Sequence, residues 1–175
     1  MEYSFNLYNS LAPTGIFMAL KNLLGKEEKP PVFLFVGSDL VIGDSLGPVA
    51  GTMLRNKTIG ASCFSYGDLS APVTAKEVKY ADAFLRRTHP GRKIVAVDAA
   101  IGDDGDVGLI KVTDKPLAPG SGAKKKLGKI GDVSILGIVA ERSLFNYAVL
   151  GNIRFDVVYK MSDAISEAIA SFVLS

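Results

Sequence analysis

Val32-Phe33-Leu34-Phe35-Val36-Gly37, followed by the loop Ser38 to Gly43 and then Asp44-Ser45-Leu46-Gly47-Pro48-Val49-Ala50, decides the fold class of this chain. Five apolar residues in a row, without polar alternation, suit a strand covered on both faces, as in a parallel sheet between helices. After Asp44 the period changes. Leu46, Val49, Ala50, Met53 and Leu54 fall on one stripe of a helix. Pro48 is tolerated because it lies in the first turn, where its missing N–H is not needed.

Working outward, the alternation of strand and helix repeats. Cys63 to Tyr66 reads as a second strand. Thr74 and Glu77 have capping-box spacing and open a helix with Val78, Ala81 and Leu85 inward, stopped by His89-Pro90-Gly91. Ile94 to Val97 is another apolar run, with Asp98 at its carboxyl end. Val107 to Val112 alternates, which predicts an edge or antiparallel strand. Pro116 to Gly131, rich in glycine and lysine, reads as a long loop. Val133 to Val139 is a strand, Glu141 to Leu150 a helix closed by Gly151, and Val158 to Val173 a final helix burying Val158, Met161, Ile165, Ile169 and Phe172.

Upstream, Thr14 is expected to cap a short helix with Ile16, Leu20, Leu23 and Leu24 on one face and Gly25 as its stop. The chain therefore reads as one domain over residues 1–175. Residues 1–30 form an added helical segment that covers a sheet edge or contacts a partner chain, so a homo-oligomer is among the expectations. Strand, helix, strand in this order calls for right-handed crossovers and a mostly parallel sheet in a three-layer α/β/α sandwich.

Composition narrows the function classes. The 175 residues carry 20 basic and 18 acidic side chains, a net charge of +2, which is too mild to argue for nucleic acid. There is no Trp, and no basic face studded with aromatics. One cysteine excludes an internal disulfide and points to a reducing compartment. The first residues lack a secretion signal and no run is long enough to span a membrane, so a cytoplasmic protein is expected.

In open α/β sheets, ligands bind outside the carboxyl ends of the strands. Two carboxylates stand there. Asp44 can be a helix N-cap or an acid projecting into the crevice. Asp98 can bond the amides of the next loop, or it can be a desolvated acid of raised pKa. If both face one crevice, they share a proton. One then activates water while the other protonates a leaving group or holds the carbonyl, which is chemistry for amide hydrolysis without a metal or other cofactor.

Other schemes are poorer. His89, the single histidine, sits where a helix C-cap is expected. Cys63 reads as core. Clustered Cys and His for zinc are lacking. Asp103-Asp104-Gly105-Asp106 lacks the rest of a calcium loop and reads as a surface turn. Gly120-Ser121-Gly122 lacks the flanking strand and helix of a phosphate loop. The lysines Lys124, Lys125, Lys126 and Lys129 read as a solvated loop, or as a border of the crevice that receives an acidic or main-chain-rich substrate.

Phe35-Val36-Gly37-Ser38-Asp39, Gly43-Asp44-Ser45-Leu46-Gly47-Pro48, Val97-Asp98-Ala99, Pro119-Gly120-Ser121-Gly122 and Gly131-Asp132-Val133-Ser134-Ile135, in that order, resemble the YyaC-type sporulation proteins of endospore-forming bacteria. That family is similar to the spore germination protease, an aspartic-type peptidase, and more distantly to the hydrogenase maturation endopeptidases. The resemblance implies the three-layer fold, catalytic roles for Asp44 and Asp98, and a forespore or spore interior. It also implies a peptide or protein substrate, and substrate binding is expected at Gly37, Ser38, Asp39, Ser45, Gly120 and Gly122. Maturation endopeptidases hold nickel with a carboxylate at each of these two positions and a later histidine. No histidine follows His89 here. The leading expectation is a sporulation-associated peptidase; a non-catalytic peptide- or protein-binding relative that keeps the crevice is the alternative, and a metal-dependent maturation protease ranks last.

Overall fold

The computed structural model describes residues 1–26, 29–119, 128–142 and 153–175. The described elements are β1 (Glu2–Asn6), α1 (Ala12–Leu24), β2 (Val32–Phe35), a 3-10 turn (Ile42–Ser45), α2 (Leu46–Lys57), β3 (Phe64–Tyr66), α3 (Val78–Thr88), β4 (Ile94–Gly102), β5 (Leu109–Thr113), β6 (Val133–Glu141) and α4 (Phe155–Val173). The strands form one sheet in the order β1-β5-β6-β4-β2-β3. β3, β2, β4 and β6 are mutually parallel; β5 runs antiparallel to both β6 and β1.

Both faces of the sheet are covered, which is why β2 is apolar throughout. Phe33 and Phe35 point to one side, where they meet Ile16, Leu20 and Leu24 of α1, Leu46, Ala50 and Leu54 of α2, and Met161, Ile165 and Ile169 of α4. Val32, Leu34 and Val36 point to the other and pack with Val78 and Leu85 of α3, joined by Leu117 and Ile130. Successive strand side chains face opposite ways, so each face of β2 has its own core. This is the expected α/β/α sandwich with a mixed sheet.

Several expectations need correcting. The first residues form a strand: Tyr3 and Phe5 are half-buried between exposed Glu2, Ser4 and Asn6, and β1 pairs with β5 along its whole length. β5 is antiparallel as expected but is not an edge, because β1 covers it. Helix α1 starts at Ala12, with Pro13 in its first turn and Leu11 rather than Thr14 at the N-cap. Its buried stripe belongs to the larger core and lies against α4, so it covers a sheet face, not a sheet edge. Glu141 ends β6 instead of opening a helix, and the rest of that expected helix lies outside the described residues. Among the described residues no helix is long and apolar enough to cross a membrane.

Thr74 does not open α3 as the capping-box spacing predicted: the helix starts at Val78 with Glu77 at its N-cap and no side-chain cap bond, and Glu77 instead accepts the Thr74 amide at 2.9 Å and the Thr74 hydroxyl within the preceding turn. Asp132 ties three elements together. It accepts two bonds from Arg86 of α3 at 3.1 and 3.2 Å, and the Ile94 amide at 2.8 Å. This fixes where β4 begins.

Gly47 is one of the tightest points in the fold. A Cβ there would collide with the main-chain oxygen of Val36. Gly47→Ala is expected to lower unfolding free energy by about 3 kcal/mol or more, because main chain cannot yield as a side-chain tip can. Denaturant titration of the two proteins checks this.

Candidate active site

The loop after β2 folds back on itself at once. Gly37 has φ +145° and its amide bonds Val73 at 2.9 Å. The Ser38 amide then donates to the Asp44 carbonyl at 3.1 Å, and the Asp44 amide to Val41 at 3.0 Å. A Cβ on Gly37 would collide with the same Asp44 carbonyl, so the two halves of the loop meet main chain to main chain. Ser45 closes the 3-10 turn by donating its hydroxyl to the Ile42 carbonyl at 2.7 Å. Ser162 of α4 donates to the Leu46 carbonyl at 3.0 Å and anchors the turn from below. Asp44 is thereby held over the end of β2, half-buried.

Asp98 arrives by a different route. It is not at the end of its strand, as expected, because β4 runs on to Gly102 against β6. What ends beside it is β2, whose last pair is Phe35 with Val97. Asp98 is 6% exposed, and one of its oxygens accepts the Ala99 amide at 2.8 Å. Burial raises its pKa well above the ordinary value, and the Asp44 carboxylate raises it further. Asp44 is also raised by burial, with the Ser38 amide opposing. The two acids feel each other's charge. Asp98, the deeper, is where a retained proton is favoured; Asp44, more exposed, is where negative charge is favoured.

The remaining predicted positions divide. Gly37 shapes the loop. Ser45 is buried and its hydroxyl is engaged within the turn. The Ser38 hydroxyl accepts the Leu40 amide at 3.2 Å, and Asp39 is exposed. Gly120 and Gly122 lie outside the described residues. The expected lysine border is described only at Lys129. Pairing of β4 with β6 well past Asp98 escaped the sequence reading, although Ala99, Ala100 and Ile101 continue the apolar run and were its signal.

His89 caps the C-terminus of α3, with its ring against Phe64 and its Nε2 2.7 Å from the Tyr66 hydroxyl. Among the described residues no three His, Cys, Asp or Glu side chains are grouped to hold a metal. The donors present do not fit the two-carboxylate-plus-histidine set for nickel. Cys63 lies just ahead of β3, not within it, and burial pushes its thiol pKa up, away from nucleophilic use. It lines a cavity of about 310 Å³ with Leu24, Pro31, Phe33 and Phe172, at the amino-terminal edge of the strands and remote from the acids.

This layered sheet, with acids brought to its carboxyl edge by a strand–turn–helix unit, has the fold of the hydrogenase maturation proteases. The structure is similar to that of the [NiFe] hydrogenase maturation protease HycI from Thermococcus kodakarensis KOD1, with a TM-score of 0.56 over 89% of this chain and 99% of that one, at 17% identity. At the level of sequence, residues 4–168 match the family described as "Protein of unknown function (DUF1256)", and the chain belongs to that family. It is 36% identical over 142 residues to the uncharacterized protein YyaC of Bacillus subtilis (strain 168), covering 81% of this chain and 69% of that protein.

A buried acid with a raised pKa binds its proton more tightly in the folded than in the unfolded chain. Its contribution therefore favours folding at low pH and is lost as pH rises from the unfolded pKa through the folded one. Asp98→Asn keeps an acceptor for the Ala99 amide and cannot ionise. Its melting temperature is expected to exceed the parent's at pH 7, by roughly 2–4 °C for each kcal/mol relieved, and to converge with it near pH 4. Calorimetry across that range checks the sign.

Proposed function

We propose that this protein is a peptidase in which Asp44 and Asp98 share a proton and direct water onto a peptide carbonyl. One observation carries the reading: a nearly inaccessible Asp98 whose proton is held partly by the charge of Asp44. In the resting state Asp44 is the carboxylate and Asp98 the acid. Asp44 takes a proton from water as its oxygen attacks the carbonyl carbon. Asp98 donates its proton to the carbonyl oxygen, giving a neutral tetrahedral diol. Asp98, now ionised, takes a proton back from that diol while Asp44 passes its own to the departing amine. Both acids end as they began.

A fold shared with a maturation protease supports a proteolytic role, and the sequence resemblance to the spore germination protease is the ground for proposing a role in sporulation. The substrate in this reading is a protein or peptide of the spore or forespore interior. Parent protein and both asparagine variants, incubated with spore protein extract, are to be compared by mass spectrometry of newly formed termini. Asp44→Asn and Asp98→Asn are each expected to slow cleavage about a hundred-fold or more. EDTA is expected to leave the rate unchanged. A double asparagine variant that cleaves as well as the parent sinks the mechanism.

A further inference from the structure

Beyond Asp98, β4 has no strand partner on its β2 side among the described residues, which leaves a seam there. β2 pairs with β4 only as far as Phe35 and Val97, whereas β4 continues against β6 through Gly102. Along a strand the main-chain groups of successive residues turn to opposite neighbours. The Val97 carbonyl faces β2, where it accepts the Val36 amide at 2.8 Å; the Gly102 carbonyl faces β6's side, where it accepts the Arg142 amide at 2.9 Å. Counting by twos from Val97, Ala99 and Ile101 direct their main chain to the side that β2 has left. The extra residue in this stretch of the β4–β6 ladder lies in β6, between Ile138 and Ala140, so the count along β4 is undisturbed.

The Ala99 amide is taken by Asp98. The Ala99 carbonyl and both main-chain groups of Ile101 have no hydrogen-bond partner among the described residues. Both residues are half-buried. A free strand edge is a template for another strand, and its affinity comes from backbone bonds that any extended polypeptide can make. The seam begins one residue from Asp98 and extends to Ile101, about 10 Å along the strand. A chain added at strand spacing occupies the place where β2 would have continued, over whose end Asp44 is held.

We propose that β4 from Ala99 to Ile101 receives an extended polypeptide as an added strand, bonded to the Ala99 carbonyl and to the Ile101 N–H and C=O. Recognition is through main chain, so the occupant is an unfolded or extended segment with broad tolerance of side-chain identity. Val41 and Ile42, each just over one-third exposed in the turn leading to Asp44, supply an apolar flank. The proposal rests on the peptidase reading only for what happens to the bound segment; the binding site stands on the hydrogen-bond geometry.

The test uses the full chain carrying Asp98→Asn, so that nothing is cut, and a fluorescein-labelled peptide of alternating Val and Thr with Lys ends. A second peptide is N-methylated at alternate residues. Anisotropy is expected to show the plain peptide binding about ten-fold or more tightly than the methylated one, and hydrogen exchange to show protection of the Ile101 amide. Ile101→Pro removes the donor without touching the β6 ladder and is expected to weaken binding similarly, while Ile101→Val retains it. Should the proline variant misfold by circular dichroism, the methylated peptide decides. Equal binding of both peptides, no binding, or protection confined elsewhere overturns the strand site. A peptide that docks on β4 but is left whole by the parent protein refutes the peptidase reading and leaves the site standing.

Discussion

The main chain of Gly47 lies against that of Val36, and the main chain of Gly37 against that of Asp44, with no room for a Cβ at either glycine. Helix α2 can therefore begin directly on the end of the strand that precedes it. Three consequences follow from this one contact. Leu46 drops into the core with no exposed surface. Asp44 is carried over the sheet edge by a turn held by its own Ser38–Asp44, Asp44–Val41 and Ser45–Ile42 bonds. And β2 must stop at Phe35, because its continuation has been turned back on itself, which leaves β4 without a neighbour on that side.

Asp98 works against the fold that contains it. A carboxyl group buried in a strand is destabilising when ionised, and a second acid nearby adds to the penalty. The sheet tolerates it because the surroundings are over-determined: β4 is gripped at its start by the Arg86–Asp132–Ile94 bonds and along its length by β6. Retaining such a group in a core otherwise rich in Val, Ile and Phe has a chemical rationale, a proton kept available at a pH where a solvated aspartate has lost it. The likeness to HycI at 17% identity speaks to the backbone alone. The chemistry has to be argued from these side chains.

Metal-holding offers a contrast within the same architecture. The only histidine is committed to the end of α3, hydrogen-bonded to Tyr66 and tilted against the Phe64 ring. Among the described residues no third His, Cys, Asp or Glu joins the two acids in a group that could hold a metal.

Local pattern alone determined a good deal. The unbroken apolar run Val32–Val36 required a strand buried on both faces, the 3.6-residue stripes marked α2, α3 and α4, and the glycines around Asp44 marked a sharp strand-to-helix return. The two acids could be picked out by their position after apolar strands. These features are legible because periodicity and turn chemistry are carried by neighbours in the chain. Tertiary structure alone decided that Glu2–Asn6 pairs with β5, that α1 belongs to the main core, that Asp98 lies mid-strand, and that the charge of Asp44 raises its pKa. Each of those depends on which distant segment stops, or continues, alongside another, and a strand's own residues do not encode where its partner ends.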